Sequence, residues 1–218
     1  MTRSLLAAAL ATPLLAAAAP AVAEPAPQRV DLPVQRAVQA LPVDEESRAG
    51  YKRTSFKHWV DADRDGCNTR AEVLIAEAVE KPTVGAGCKI LGGQWRSYYD
   101  DITVSKAGAL DIDHMVPLAE AWDSGASKWD ADRRMRYAND LGSERSLVAV
   151  TARSNRQKSD QDPSTWWVPS ADASCQYLSD WVATKTRWQL TIDRAEKNAL
   201  TQRATECPAA RVSTEIAS

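Results

Sequence analysis

Apolar and polar positions along the chain alternate between two periods, and the changes of period divide it into elements. Over residues 44–59 the spacing predicts a helix, and over residues 69–80 a second one, with Val73, Leu74 and Ala78 on one face and Pro82 as its stop. A glycine-rich connection, residues 85–93, leads into residues 94–104, whose aromatic and β-branched content predicts extended structure. Residues 110–113 form a short apolar strand. Residues 117–141 read as helical stretches broken at Gly125, residues 146–151 as a second strand, and residues 152–159 as a short polar helix. Between Cys175 and Cys207, Leu178, Trp181, Val182, Lys185 and Trp188, followed by Ile192, Ala195 and Leu200, recur at helical spacing, which predicts two helices folded back on each other. The tryptophans there are read as core. The expected class is α+β: a mostly helical single domain around a strand, strand and helix unit.

The N-terminus departs from this pattern. Arg3, an Ala-rich apolar run and Ala21-Val22-Ala23 have the order of a secretory signal peptide over residues 1–23. The run is roughly 15 residues long, whereas a spanning helix needs about 20, so no membrane association is expected after cleavage. Residues 24–43 are Pro-rich and lack periodicity, which predicts a linker or tail; residues 44–207 are the expected domain and residues 208–218 a C-terminal tail. Export places four cysteines in an oxidising compartment, where they pair. Three connectivities are open. Cys67–Cys88 with Cys175–Cys207 is favoured because each pair then brackets one compact unit. A zinc site is disfavoured, since no Cys-x-x-Cys or Cys-to-His spacing of that type occurs.

A formal net charge of −2, made one unit more negative by removal of Arg3, excludes a histone-like binder of uniform positive charge. Nucleic-acid contact must therefore be local. Residues 128–158 supply a basic stretch, with Arg145, Arg153 and Arg156 as candidate phosphate contacts.

Two histidines exist, His58 and His114. His58 is read as packing or surface. His114 follows Asp113 at the end of an apolar strand, before Met115-Val116-Pro117; some forty residues later a second strand runs into Ser154-Asn155-Arg156-Gln157-Lys158. This Asp-His-x-x-Pro strand followed by an Asn-x-x-Lys helix resembles the HNH nuclease motif in its Asp-His…Asn form. It is similar to the HNH domains of RNA-guided nucleases, and more closely to the C-terminal HNH domain of GmrSD-type restriction endonucleases. Relatives of the latter kind share the Arg70-x-Glu72-Val73-Leu74 helix, the Trp95-x-Ser97-Tyr98 segment and the cysteine-bracketed C-terminus, so the likeness covers nearly all of residues 44–207. The resemblance implies a ββα-metal (His-Me finger) core and a secreted endonuclease acting on DNA or RNA. Asp113 and Asn155 would hold one divalent cation, His114 would be the general base, and Lys158 would face the phosphate. An imidazole with an ordinary pKa near 6.5 suits a general base, and a sparse site of Asp and Asn oxygens suits Mg2+ or Mn2+. Where many HNH proteins carry a bracing asparagine, this chain has Ser146, with Asn139 or Asp140 as substitutes for the brace. No protein partner is implied.

Residues 61–72 match the calcium-loop pattern D-x-D-x-D-G-x5-E, with ligands Asp61, Asp63, Asp65, the Cys67 carbonyl and Glu72, and Gly66 at the sharp turn. The plainer reading is a capping box, Thr69 to Glu72, at a helix start. Two rival functions follow: a secreted calcium-binding or surface-interaction module that needs neither His114 nor Asn155, and an HNH scaffold that binds DNA without cutting it.

Overall fold

A computed structural model describes residues 28–217. The expected signal peptide lies outside the described residues. The described residues begin with strand β1 (Arg29–Pro33) and helix α1 (Val34–Ala40), then run through an irregular segment to α2 (Thr69–Glu77). Two short hairpins follow, β2 (Thr83–Gly85) with β3 (Lys89–Leu91) and β4 (Trp95–Ser97) with β5 (Ile102–Val104). Next come β6 (Leu110–His114), α3 (Leu118–Asp123), α4 (Ala131–Ala138), β7 (Leu147–Thr151) and α5 (Ala152–Lys158). Helices α6 (Ser174–Trp188) and α7 (Arg194–Glu206) and strand β8 (Arg211–Glu215) complete an α+β fold. No helix among the described residues is long and apolar enough to cross a membrane.

The helix starts are set by local chemistry. Asn68, Asp130 and Asp193 accept the backbone N–H three residues on at α2, α4 and α7, and Thr151 does so at α5. Each bond satisfies one of the donors that a helix start leaves without an intrahelical partner. The α2 cap is therefore Asn68, one residue before the expected box; the Thr69 hydroxyl donates to the Val60 carbonyl and the Asn139 amide oxygen instead.

β6 and β7 pair antiparallel, with Asp113 opposite Val148 and His114 opposite Leu147. Alternation along the strands divides the hairpin between two cores. Leu110, Ile112, Leu147 and Ala149 pack with Val73, Leu74 and Trp95 in a small cluster under α2. Val148 and Val150 join the main core built by α1, α3, α4, α6 and α7. The hairpin is thus clamped on both faces, and α5 leaves it directly from Thr151.

Three expectations are corrected. Residues 24–43 are not all linker: β1 pairs with β8, and α1 buries Val34, Ala37 and Val38 in the main core. Pro33 is accommodated at the junction of an edge strand and a helix start, where a missing N–H costs little. For the same reason residues 208–218 are not a free tail, since they contain β8. Residues 44–59 are not helical; beyond one turn of 3-10 helix, Arg53–Ser55, they form a loop pinned by single side chains. Phe56 is fully buried, and its ring lies 6.4 Å from Trp122 and 6.1 Å from Tyr137.

Both cystine bridges follow the favoured pairing, Cys67–Cys88 and Cys175–Cys207.

Candidate active site

His114 is the last residue of β6, and the chain bends immediately after it. Successive strand residues face opposite sides, and the partners of Asp113 and His114 differ accordingly. Both nevertheless border one cleft of about 290 Å³, which Arg53, Pro117, Asn155, Arg156, Ser159 and Asp160 also line. Asp113, His114 and Asn155 therefore converge at one opening.

The His114 ring is held by its surroundings. Nε2 lies 2.9 Å from the Ala138 carbonyl oxygen. A carbonyl can only accept, so Nε2 carries the proton and Nδ1 keeps its lone pair. The Trp59 ring lies 5.5 Å away, and Tyr137 stacks at 6.5 Å on a nearly parallel plane. Burial pushes the imidazole from its ordinary 6.5 down to about 3, against the Ala138 hydrogen bond that raises it, so the ring is neutral but a weaker base than the sequence reading expected.

Ala138 is positioned by the two residues after it, both named above as substitutes for the missing asparagine. Asn139 donates to the Lys57 and Met135 carbonyls and accepts from the Val60 N–H. Asp140 accepts from the Ser146 hydroxyl at 2.6 Å, from Arg187 through two nitrogens, and from the Trp188 indole. Ser146 is thus a donor within a brace centred on Asp140.

Asp113 is buried, and both of its bonds fall on Oδ2, from the Tyr99 hydroxyl at 2.7 Å and from Lys158 Nζ at 2.7 Å. Lys158 is fully buried and also donates to the His114 carbonyl. It does not face the cleft as expected. One helical turn beyond Asn155 it points under the hairpin, where the Asp113 carboxylate compensates its charge. Burial pushes the Asp113 carboxyl up, and Lys158 opposes that shift.

Asn155 donates from Nδ2 to Asp111 Oδ2 at 3.2 Å. A carboxylate at this distance requires the amide nitrogen on that side, which turns the Asn155 oxygen away from Asp111. Asp111 was not singled out from the sequence, although Asp111 and Asp113 two apart on a strand must share a face. Tyr99 and Arg53 were also missed, and neither has a local pattern that marks it. His58 lies beside the site, its ring 6.3 Å from that of His114.

The basic residues divide. Arg156 lines the cleft and is largely exposed, with only a 3.8 Å approach to Asp111. Arg153 is exposed on the same helix. Arg145 is not at the cleft: it pairs with Asp180 at 2.6 Å in a separate groove of about 720 Å³ that also holds Glu77 and Tyr98.

In the 61–72 loop, carboxylate oxygens of Asp61, Asp63 and Asp65 lie within 4.8 Å of one another, and Asp65 is likewise close to Glu72. Gly66, at φ +98°, donates its N–H to Asp61, and the Cys67 N–H goes to Asp65. Burial, then Asp65, Asp63 and Asp61, push the Glu72 carboxyl up. The Cys67 sulfur is committed to its bridge, which leaves the backbone carbonyl as the donor of that residue.

Residues 70–203 match the family described as GmrSD restriction endonucleases, C-terminal domain. An "Uncharacterized secreted protein" of Arthroderma benhamiae is 39% identical over 158 residues, which span 72% of this chain and 76% of that protein. No solved structure matches. With the family match running from the start of α2 almost to the end of α7, the chain belongs to the family of GmrSD restriction endonuclease C-terminal domains.

Proposed function

We propose that the protein is a secreted, metal-dependent endonuclease that hydrolyses phosphodiester bonds in DNA or RNA, with β6, β7 and α5 as a ββα-metal core of the HNH type. The observation that carries this reading is the convergence of Asp113, His114 and Asn155 on one cleft, with His114 Nε2 occupied by a carbonyl. Secretion is supported by the two cystine bridges and by the secreted relative.

The donor set fits a hard divalent cation. Asp113 Oδ2 is engaged twice, which leaves Oδ1, and the orientation of Asn155 leaves its amide oxygen. Two oxygens of this kind suit Mg2+ or Mn2+. When bound, such a cation supplies positive charge to the phosphate and leaving oxygens. The remaining work falls to the chain. Neutral His114 accepts a proton from water at Nδ1 as the water oxygen bonds to phosphorus and the bond from phosphorus to the leaving sugar oxygen breaks; that oxygen takes a proton from solvent. Arg53 and Arg156, at the cleft wall, contact the phosphates on either side.

Digestion of plasmid DNA and of RNA with Mg2+, Mn2+ or EDTA tests the proposal. Cleavage should require the cation, and His114→Ala should lower the rate by about 10²- to 10⁴-fold. Undiminished cleavage by that variant would remove the mechanism. Binding of DNA without cleavage under any cation would favour the non-cutting scaffold.

The 61–72 loop is assigned to a structural calcium ion, because clustered carboxylates around a tight turn repel one another until a cation joins them. Calcium should raise the melting temperature of the parent and not of Asp63→Asn/Asp65→Asn. Equal melting shifts in both would rule out the loop as the site.

A further inference from the structure

The turn between β4 and β5, residues 98–101, touches the carriers of both proposed cation ligands. Tyr99 is fully buried and gives its hydroxyl to Asp113 on β6. Asp100, the next residue, accepts through Oδ2 from the hydroxyls of Thr151 and Ser154. Thr151 caps α5 by accepting the Ser154 N–H, and Asn155 follows Ser154 directly. Tyr98 anchors the turn from the other side through a bond from its hydroxyl to Asp180 at 3.1 Å.

We propose that Tyr99 is a positioning residue that fixes the Asp113 carboxylate with Oδ1 toward the cleft, and that the same turn, through Asp100, sets the separation between Asp113 and Asn155. This rests on the function proposed above. Lys158 already pairs with Asp113 through Oδ2, so a second basic side chain on that oxygen would add little. What a lone ammonium leaves undetermined is direction. It is a point charge that attracts a carboxylate at many torsion angles. A second donor on the same oxygen removes that freedom and saturates Oδ2. The phenol is well suited, because its ring has two torsions and both are locked by packing: Tyr98 at 4.9 Å, Trp166 at 5.5 Å and Tyr177 at 5.5 Å between centroids. Its main chain is also held, by the Ser170 N–H donated to the Tyr99 carbonyl. The hydroxyl is the donor in this bond, since a carboxylate oxygen accepts. Groups behind metal ligands typically change cation affinity by about 10- to 100-fold when removed.

The test uses the full chain in an Asp63→Asn/Asp65→Asn background, so that the 61–72 loop does not contribute to Mn2+ binding. Titration calorimetry gives the Mn2+ affinity, and cleavage against Mn2+ concentration gives the half-saturation point and the saturated rate. Tyr99→Phe keeps the ring and removes one hydrogen bond. It should weaken Mn2+ affinity about tenfold and raise the half-saturation point in parallel, with the saturated rate far less affected. A purely structural role would instead lower the melting temperature and leave Mn2+ affinity as in the parent, and that result overturns the inference. Should Tyr99→Phe fail to fold, Asp100→Asn probes the turn through α5, and parental Mn2+ affinity in that variant also overturns it. Asp113→Asn separates the two levels. If it binds Mn2+ as the parent does, or if the parent binds none, the functional proposal falls together with this one. If it loses binding while Tyr99→Phe does not, only the positioning role falls.

Discussion

Lys158 illustrates how far a residue's chemistry depends on where its neighbours put it. The ammonium is fully buried against Asp113, so removing it strands a buried carboxylate. Lys158→Ala should destabilise the fold by about 3–5 kcal/mol, read from urea unfolding. A second measurement separates it from a phosphate contact. The slope of log affinity for DNA against log salt should fall by about one unit in Arg156→Ala and stay unchanged in a folded Lys158→Met. An unchanged slope in Arg156→Ala would remove that residue from the interface. That Asp113, His114 and Asn155 would share a site was legible because they sit in short motifs of recognisable spacing, and the structure brings them to one cleft. Tyr99 and Arg53 were not, because their proximity to the site arises from packing between segments distant in sequence. The identity of Lys158 was legible, but its direction was not, since a position one turn beyond Asn155 borders both the cleft and the underside of the hairpin.

At the level of elements, periodicity located the central strands, the short helix α5 and the C-terminal helix pair closely. It failed where an element is held by distant partners. β1 pairs with β8 some 180 residues away, as the bond between Arg211 and Asp31 illustrates. Prolines alone could not reveal that partner. Deleting residues 28–43 removes Val34, Ala37, Val38 and Leu41 from the core and exposes β8. At about 1.5–3 kcal/mol for each large apolar side chain, the loss should amount to several kcal/mol, visible in urea titrations. A truncated chain as stable as the parent would restore the linker reading. Residues 44–59 failed in the opposite direction: their apolar spacing imitates a helix, but Tyr51 and Phe56 act as separate anchors against Trp122 and Tyr137.

Among the described residues the carboxyls raised furthest are part-buried Glu46, buried Glu196 and part-buried Glu77 on α2, and they govern the response to pH near neutrality. Burial, then Glu120, raise Glu46 from its ordinary 4.5 to about 8, and burial raises Glu196 to about 7. A carboxyl whose pKa is higher in the folded state contributes stability that is fully present below its unfolded value and is lost as pH rises through the folded one. Melting temperature should therefore fall between about pH 4.5 and 8, and Glu46→Gln, which resembles the protonated acid, should flatten the fall. His114 acts in the opposite sense, since its lowered pKa contributes stability above 6.5 that is lost toward about 3. A melting profile that rises steadily to pH 8 in the parent would contradict this balance. What the sequence by itself determined were the features written in local spacing: the α+β class, the two strands and the short helix that border the cleft, and the presence of Asp113, His114 and Asn155 on them; among three open cysteine pairings it favoured the one the structure has. Only the tertiary structure decided that Lys158 is buried, that Asp140 gathers bonds from Ser146, Arg187 and Trp188, that the N-terminal segment belongs to the core, and that one turn of chain contacts both Asp113 and the residue before Asn155. The physical reason is that hydrogen-bond partners and burial are fixed by contacts between distant segments, on which no periodicity along the chain depends.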